Sequence, residues 1–142
     1  ATVVADSYGG VLPMHGQTRL VQLFSACETG LIPDGICDHA SEENITVSKV
    51  FDRTIGDFPA VLFANINSKT DSVQMRFYSF VSASFPDIRA RVYMDGEEYF
   101  AELNRGILQP HDRHQNYVSY VVDGSQHCFT CYDLLYSADV SG

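Results

Sequence analysis

The sequence has no tryptophan, and its nine basic residues face eighteen acidic ones. The resulting formal charge of −9 repels phosphate backbones and anionic lipid surfaces, so we expect no nucleic-acid partner. No apolar run approaches the roughly 20 residues of a membrane span. The longest runs, such as residues 60–64, have the length of a strand. We therefore also expect no membrane insertion.

The sequence also lacks the usual signatures of catalysis. It contains neither the G-x-S-x-G nor the H-E-x-x-H motif, and no cysteine has a recognisable histidine partner for nucleophilic catalysis. Cys128 and Cys131 have the C-x-x-C spacing of a redox dithiol. A thiol oxidoreductase places that motif at a helix N-terminus, whereas here it follows a predicted hairpin strand. We expect no enzymatic activity and no catalytic residue, with a small secreted hydrolase as the enzymatic alternative.

The chain of 142 residues is long enough to bury about two thirds of its unfolded surface in one core. It shows no internal repeat and no low-complexity segment. We predict a single domain over residues 1–142, in which residues 1–13 form an N-terminal strand or arm. The first residue is Ala1 rather than Met, which is typical of a protein cut by signal peptidase, so we expect a secreted, extracellular protein.

Residues 88–103 give the strongest prediction of local structure. Asp95 and Gly96 are favoured in a two-residue type I′ turn, because both positions need a positive φ. The flanking residues alternate so that one face of the resulting hairpin is apolar and the other polar. Such a half-buried pattern belongs to an antiparallel sheet, which needs a second layer to cover its apolar face.

Alternation of apolar side chains predicts most of the other elements as strands. Residues 17–27 fit a helix almost as well, and a strand is favoured there on context alone. A second hairpin is predicted around Asp123 and Gly124, pairing Val118 with Phe129 and Tyr120 with His127. The other predicted strands are residues 45–51, 60–67, 73–83, 117–122 and a short one at 133–136, with loops at 28–44 and 106–116. This spacing predicts an all-β antiparallel sandwich or jelly roll of about seven to nine strands, with at most one short helix.

The four cysteines are an even set, which fits an oxidising compartment. They allow three connectivities, and we predict the local one, which joins Cys27 to Cys37 and Cys128 to Cys131. The second bond requires the chain to turn after His127, because residues three apart in a regular strand lie too far from each other. Asn44 begins a glycosylation sequon that matters only in an exposed loop of a eukaryotic protein.

Metal-binding patterns are weak in this sequence. His111 and His114 are three apart in a predicted loop, but they have no committed third ligand. A second group has suitable ligand types without zinc-module spacing, namely Cys37, His39, His127, Cys128 and Cys131. A third group of four acids offers oxygen ligands for calcium without EF-hand order, namely Asp34, Asp38, Glu42 and Glu43. We expect no cofactor, with calcium at these acids as the alternative.

The function predicted from these observations is self-assembly of a secreted, non-enzymatic protein as an extracellular structural or filament subunit. Terminal strand exchange is the expected route, with an assembly arm formed by Val3, Val4, Val11 and Leu12. An extracellular module that binds a carbohydrate or another protein is the alternative. The expected partners are therefore copies of the same chain or, in the alternative, a glycan or an extracellular protein.

Overall fold

The computed structural model describes residues 1–13, 15–33, 35–38, 45–85 and 93–131. These residues form one parallel sheet of three strands together with four helices. The strands are β1 (Thr2–Asp6), β2 (Leu62–Ser68) and β3 (Tyr117–Val122), in the order β1-β2-β3. The helices are α1 (Gly16–Leu23), α2 (Val47–Asp57), α3 (Ser72–Ser84) and α4 (Gly96–Leu103). The chain continues from α4 through a π-helical turn, Asn104–Leu108, and a last helical turn, Gln109–His111.

The two faces of the sheet have different surroundings. On one face, Val3, Phe63 and Tyr117 line a small cavity together with Phe51 and Ile55 of α2. On the other face the strands place apolar side chains in solvent, because Leu62 is 60% exposed and Val118 is 59% exposed. Helices therefore cover one face, and the described residues leave much of the other face open.

The core lies between β3 and the helices. Tyr99 and Leu103 of α4 are completely buried and pack with Val11, Tyr78, Ile107 and Leu108. Val121 of β3 packs against the same cluster. Tyr99 and Leu103 lie one helical turn apart, so α4 presents a single apolar stripe to the sheet.

The predicted all-β antiparallel sandwich is wrong, because the structure is mixed α/β with a parallel sheet. The described half of the predicted hairpin at residues 88–103 is a helix. Asp95 is the N-cap of α4, where its carboxylate accepts a hydrogen bond from Glu98 N at 2.9 Å. The Glu98 carboxylate accepts one in return from Asp95 N at 3.3 Å. Asp-Gly-Glu-Glu thus forms a capping box, and residues 88–92 lie outside the described residues.

Three other predicted strands are also helices. Residues 73–83 lie within α3, whose buried Gln74, Tyr78 and Val81 follow a helical period. Aromatic side chains on both faces of the supposed strand are explained by a helix with apolar residues around most of its circumference. Residues 45–51 overlap α2, which Thr46 caps by accepting from Lys49 N, and residues 17–27 overlap α1.

The strands predicted at residues 60–67 and 117–122 are confirmed as β2 and β3. The second predicted hairpin is wrong, because residues 125–131, which follow Asp123 and Gly124, form no strand. Residues 106–116 contain helical turns as well as loop, and the strand predicted at 133–136 lies outside the described residues. None of the helices in the described part of the chain is long and apolar enough to cross a membrane.

Candidate functional site

The carboxyl ends of the three parallel strands lie at one edge of the sheet, where open α/β sheets bind their ligands. β1 ends at Asp6, β2 at Ser68 and β3 at Val122. The segment 123–131 that follows β3 lies across this edge. It is attached by Thr70 N, which donates to Gly124 O at 3.0 Å, and by the Ser68 hydroxyl, which donates to Gln126 O at 2.6 Å. The strand ends and this segment form the candidate site.

Asp6 holds the tip of the segment in place. Its carboxylate accepts hydrogen bonds from Phe129 N at 3.0 and 2.9 Å, from Thr130 N at 2.7 Å and from the Thr130 hydroxyl at 2.5 Å. The Ser7 hydroxyl donates to Asp6 and accepts from Cys128 N at 2.7 Å. Partial burial acts to raise the pKa of Asp6, but these hydrogen bonds outweigh burial and lower its pKa below the ordinary value. Asp6 is therefore an ionised clamp on the loop.

The backbone on both sides of this clamp is in the left-handed region. Ser7 has φ 58° and Cys128 has φ 64°, and the two residues are joined by the hydrogen bond from Cys128 N to the Ser7 hydroxyl. Positive φ values are uncommon for residues other than glycine and cluster at sites where the surrounding structure holds the backbone. Here the hydrogen bonds of Asp6 and Ser7 are what hold it.

Cys128 and Cys131 are free thiols in this tight turn, with Cys128 half-buried and Cys131 exposed. The two sulfurs and a carboxylate oxygen of Asp6 all lie within 4.8 Å of one another. Burial raises the pKa of the Cys128 thiol, and the nearby Cys131, Asp6 and Asp71 raise it further. Because the surroundings are acidic, a thiolate is disfavoured unless positive charge arrives.

A buried aspartate next to the turn orients His127. Asp71 is 0% exposed, and one of its oxygens caps α3 by accepting from Val73 N and Gln74 N, each at 3.0 Å. Its second oxygen lies 2.9 Å from Nδ1 of His127. This contact fixes the position of the imidazole directly before Cys128. Asp71 therefore links the start of α3 to the cysteine turn.

Two buried polar atoms lie in the core behind this edge. The hydroxyl of Tyr99 and Oδ1 of Asn67 have no hydrogen-bond partner among the described residues. Burial raises the pKa of Tyr99, and the nearby charge of Asp71 adds to the effect, so the phenol stays protonated. Gly9 allows this close packing, since a Cβ there would lie 2.8 Å from the Tyr99 hydroxyl.

The two cysteine pairs differ in oxidation state. Cys27 and Cys37 form a disulfide with a Cα–Cα distance of 5.8 Å, which is the expected local pairing. Cys128 and Cys131 were expected to form the second bond, but they are present as thiols. The turn that such a bond requires after His127 does exist, because β3 has already ended at Val122.

The structure assigns the two loop histidines to different partners. His111 is buried, and its Nε2 donates to Ser48 O at 3.1 Å, whereas Nε2 of His114 lies 2.7 Å from Asp52. Both rings therefore have roles within the fold. Of the proposed calcium ligands Asp38 is described and exposed, while Asp34, Glu42 and Glu43 lie outside the described residues, as do His39 and Asn44.

The predicted assembly arm is part of the domain itself. Val3 and Val4 lie in β1, which pairs with β2 of the same chain, and Val11 is buried in the core with Leu12 partly buried. Strand exchange was expected because the first strand looked detachable, and this pairing does not show a detached strand. Self-assembly as a filament subunit stays a prediction. A strand that is hydrogen-bonded along its length in its own sheet is not a free arm.

Two cavities lie away from the cysteine turn. One, of about 290 Å³, is lined mostly by apolar side chains, including Leu20 of α1, Val50 of α2 and Ile32 between these helices. The other, of about 350 Å³, adjoins it and is lined by His15 and Glu102 among others. Both border residues 39–44 or residue 14 in sequence, which are outside the described residues, so neither defines a site by itself.

Sequence reasoning missed Asp6, Ser7 and Asp71. Their signal was present but weak, since Asp6 and Ser7 directly follow an apolar strand and Asp71 precedes an apolar run as an N-cap does. Their convergence depends on a parallel sheet, which the antiparallel prediction excluded. Comparisons of the chain with protein-family models, curated proteins and solved structures found no match, so the site is interpreted from its own geometry.

Proposed function

We propose that this chain is a dithiol protein that exchanges electron pairs with other thiols and disulfides through Cys128 and Cys131. The observation that carries the proposal is the pair of free thiols in one turn at the carboxyl edge of the parallel sheet. The sequence argument against a redox dithiol was that the motif followed a hairpin strand. That hairpin is not formed by the described residues, and the two sulfurs lie within 4.8 Å of each other in a hydrogen-bonded loop.

Exposure assigns a role to each sulfur. Cys131 is exposed, so it is the thiol that reaches a disulfide on another molecule, and the half-buried Cys128 is the resolving thiol. The Cys131 thiolate attacks the partner disulfide, forms a mixed disulfide and releases one partner thiol. The Cys128 thiolate then attacks the Cys131 sulfur and releases the second thiol. Two electrons and two protons pass to the partner, and a Cys128–Cys131 disulfide remains.

The electrostatics support a reducing rather than an oxidising pair. A strongly oxidising dithiol has a thiolate stabilised by positive charge or a helix N-terminus, which favours its reduced form. Here burial of Cys128, together with the charges of Asp6 and Asp71, has the opposite effect, because it raises the pKa of that thiol. We expect a reduction potential well below the about −120 mV of the most oxidising dithiols.

The test is equilibration of the full chain in thiol–disulfide buffers, followed by alkylation and mass measurement of the cysteine peptides. We expect one two-electron transition that joins Cys128 to Cys131. With an added model disulfide, Cys128→Ser should accumulate the mixed disulfide at Cys131, whereas Cys131→Ser should exchange slowly. A matched control is Cys27→Ser with Cys37→Ser, which leaves the turn unchanged. Failure of Cys128 and Cys131 to join at any potential would exclude the function.

As a second candidate we propose that the chain associates with copies of itself through the open face of the sheet. The specific observation in its favour is the exposure of Leu62 and Val118 on a parallel sheet, since such sheets are almost always covered on both faces. The neighbouring Val4 and Tyr120 on that face are also exposed and uncharged, although the chain as a whole carries a charge of −9. Depletion of charge is typical of interface cores.

Sedimentation over a range of concentrations tests this second proposal. We expect Leu62→Asp and Val118→Asp to remain folded and to shift the chain to monomer, because each places a charge in the contact. Leu31→Asp is the matched control, since Leu31 is also exposed, at 75%, but lies outside the sheet. A parent chain that is monomeric throughout, or equal dissociation by the control, would contradict the proposal. Export from the cell stays a prediction.

A further inference from the structure

We propose that the reduced cysteine turn is also a binding site for a soft divalent cation of the Zn²⁺ class, with the sulfurs of Cys128 and Cys131 and one oxygen of Asp6 as the protein ligands. The inference requires the free thiols of the proposed redox function but not their exchange chemistry. The acidic cluster alone would not suggest a site. The convergence of two thiol sulfurs with a carboxylate does, because zinc takes these ligand types.

The spacing of the three atoms is close to what one ion needs. Zinc binds thiolate sulfur at about 2.3 Å and carboxylate oxygen at about 2.0–2.2 Å, so ligands of a tetrahedral site lie about 3.5–4 Å apart. The three atoms here lie within 4.8 Å of one another. Side-chain rotation in the turn that shortens these distances by at most about 1 Å brings the atoms to that spacing.

Asp6 reaches the ion only by releasing a hydrogen bond. Its two oxygens receive contacts from Ser7, from Phe129 N at both oxygens, and from both the amide and the hydroxyl of Thr130. A carboxylate offers about four lone-pair positions, so the group is saturated in this conformation. The Thr130 hydroxyl is the donor that leaves, because Thr130 is exposed and its hydroxyl can turn to water. The backbone donors keep the loop in place.

The charge of the turn also favours a cation over two bare thiolates. Asp6 and the fully buried Asp71 are near Cys128, and Asp71 is already engaged by His127 and the start of α3. Binding converts two thiols and one Zn²⁺ ion into a bis-thiolate complex and releases two protons. No electrons move in this step, so oxidants and reductants do not enter it. A Cys128–Cys131 disulfide would remove both sulfur ligands and prevent binding.

The experiment titrates the fully reduced full-length chain with Zn²⁺ against a chromophoric chelator and with Co²⁺ as the spectroscopic probe. We expect one ion per chain, release of two protons, a thiolate-to-Co²⁺ charge-transfer band and loss of all three in Cys128→Ser or Cys131→Ser. Asp6→Asn should weaken Zn²⁺ binding about tenfold or more, whereas Asp38→Asn, an exposed acid elsewhere, should leave it unchanged. Absence of the charge-transfer band in the parent would overturn the site.

A second variant tests Asp6 without removing it from the loop. Thr130→Val deletes the competing hydroxyl, so Zn²⁺ should bind about tenfold more tightly, as expected for one freed charge-assisted hydrogen bond. Thr29→Val is the control, since its hydroxyl donates to Ala26 O in another turn. Unchanged affinity in Thr130→Val would exclude Asp6 and with it the proposed ligand set.

The outcomes for the metal and for electron exchange are separable on the same samples. A parent chain that forms the Cys128–Cys131 disulfide reversibly but gives no Co²⁺ thiolate band retains the redox proposal and loses the metal site. A chain that binds Zn²⁺ through both sulfurs but never forms that disulfide gives the opposite result. Asp38→Asn, at an exposed acid outside the turn, should change neither Zn²⁺ affinity nor the redox midpoint of the metal-free chain.

Discussion

At the scale of single residues, the stability of this protein depends on a few buried polar side chains. His111 is 1% exposed and lies against the rings of Phe51 and Tyr117, with its Nε2 on Ser48 O. Burial lowers its pKa below the ordinary value of about 6.5. The hydrogen bond to Ser48 and the charge of Asp52 oppose this shift, and the neighbouring His114 and Arg113 add to it. The folded chain therefore holds His111 neutral.

This depressed pKa makes a prediction about acid stability. Since the unfolded chain binds a proton at His111 more readily than the folded chain, the stabilising contribution is complete above about pH 6.5 and is lost as the pH falls toward the folded pKa. We expect His111→Gln to show a smaller loss of unfolding free energy between pH 7 and pH 5 than the parent. Urea unfolding at several pH values measures it. Parallel pH profiles for the two proteins would contradict the assignment.

The Tyr99 hydroxyl provides a second prediction for a single residue. It is buried without a hydrogen-bond partner in the described part of the chain, so it contributes desolvation cost and no compensating bond. We expect Tyr99→Phe to lower the free energy of unfolding by no more than about 0.5 kcal/mol. A gain of up to about 1 kcal/mol is equally consistent with an unbonded hydroxyl. Leu103→Ala, equally buried, should cost about 2–5 kcal/mol. A large loss in Tyr99→Phe would show that the hydroxyl is bonded.

At the scale of elements, helix caps decide what the alternation pattern left ambiguous. Asp71 and Asp95 each precede a segment that the alternation pattern predicted as a strand. Each is instead the N-cap of a helix, where its side chain accepts backbone hydrogen bonds. An Asp-Gly dipeptide satisfies a type I′ turn and an N-cap with its first helical residue equally well. The glutamate three residues after Asp95 and the buried pair one turn apart favour the helix.

Substitution at Asp95 distinguishes the two structures. Asp95→Ala should cost about 1 kcal/mol, because the cap is lost, whereas Asp95→Ser should cost only a few tenths, because serine is an equally good N-cap. A type I′ turn would disfavour serine and alanine alike, since both lack the tolerance for positive φ. Thermal unfolding followed by circular dichroism measures both, with Glu97→Ala as the exposed control in the same turn. Equal losses in the serine and alanine variants would contradict the cap.

At the scale of the whole molecule, the described chain is a small parallel sheet covered by helices on one face, with its cysteine turn at the carboxyl edge. The two cysteine pairs lie in separate parts of this arrangement. Cys27 and Cys37 close a short loop after α1, whereas Cys128 and Cys131 are tied to β1 through Asp6 and Ser7. We therefore expect the two pairs to act independently.

The first disulfide should stabilise the fold without affecting the thiol site. It closes a loop with a sequence separation of 10 residues, for which the chain-entropy estimate is about 3 kcal/mol. We expect the double variant Cys27→Ser with Cys37→Ser to lose about that much free energy of unfolding, as measured by urea unfolding. Its rate of alkylation at Cys131 should equal that of the parent. A change in that rate would show that the two regions are coupled.

The sequence by itself determined the features that depend on neighbours along the chain. The strands at β2 and β3 follow from short apolar runs next to Pro59 and Asn116, and the Cys27–Cys37 pairing follows from a polar loop that brings its ends together. The sequence also contains the N-cap residues Thr46, Asp71 and Asp95. The alternation of apolar residues after each of them nevertheless predicts a strand where a helix forms.

Only the tertiary structure decided between the two periods and between parallel and antiparallel pairing. Short apolar segments such as 73–83 satisfy a period of 2 and a period of 3.6, and burial against a core selects one of them. The site depends on the same choice, because Asp6 and the amide of Phe129 are 123 residues apart in sequence. Parallel strands bring their carboxyl ends to one edge regardless of that separation, and no local pattern records which ends will meet.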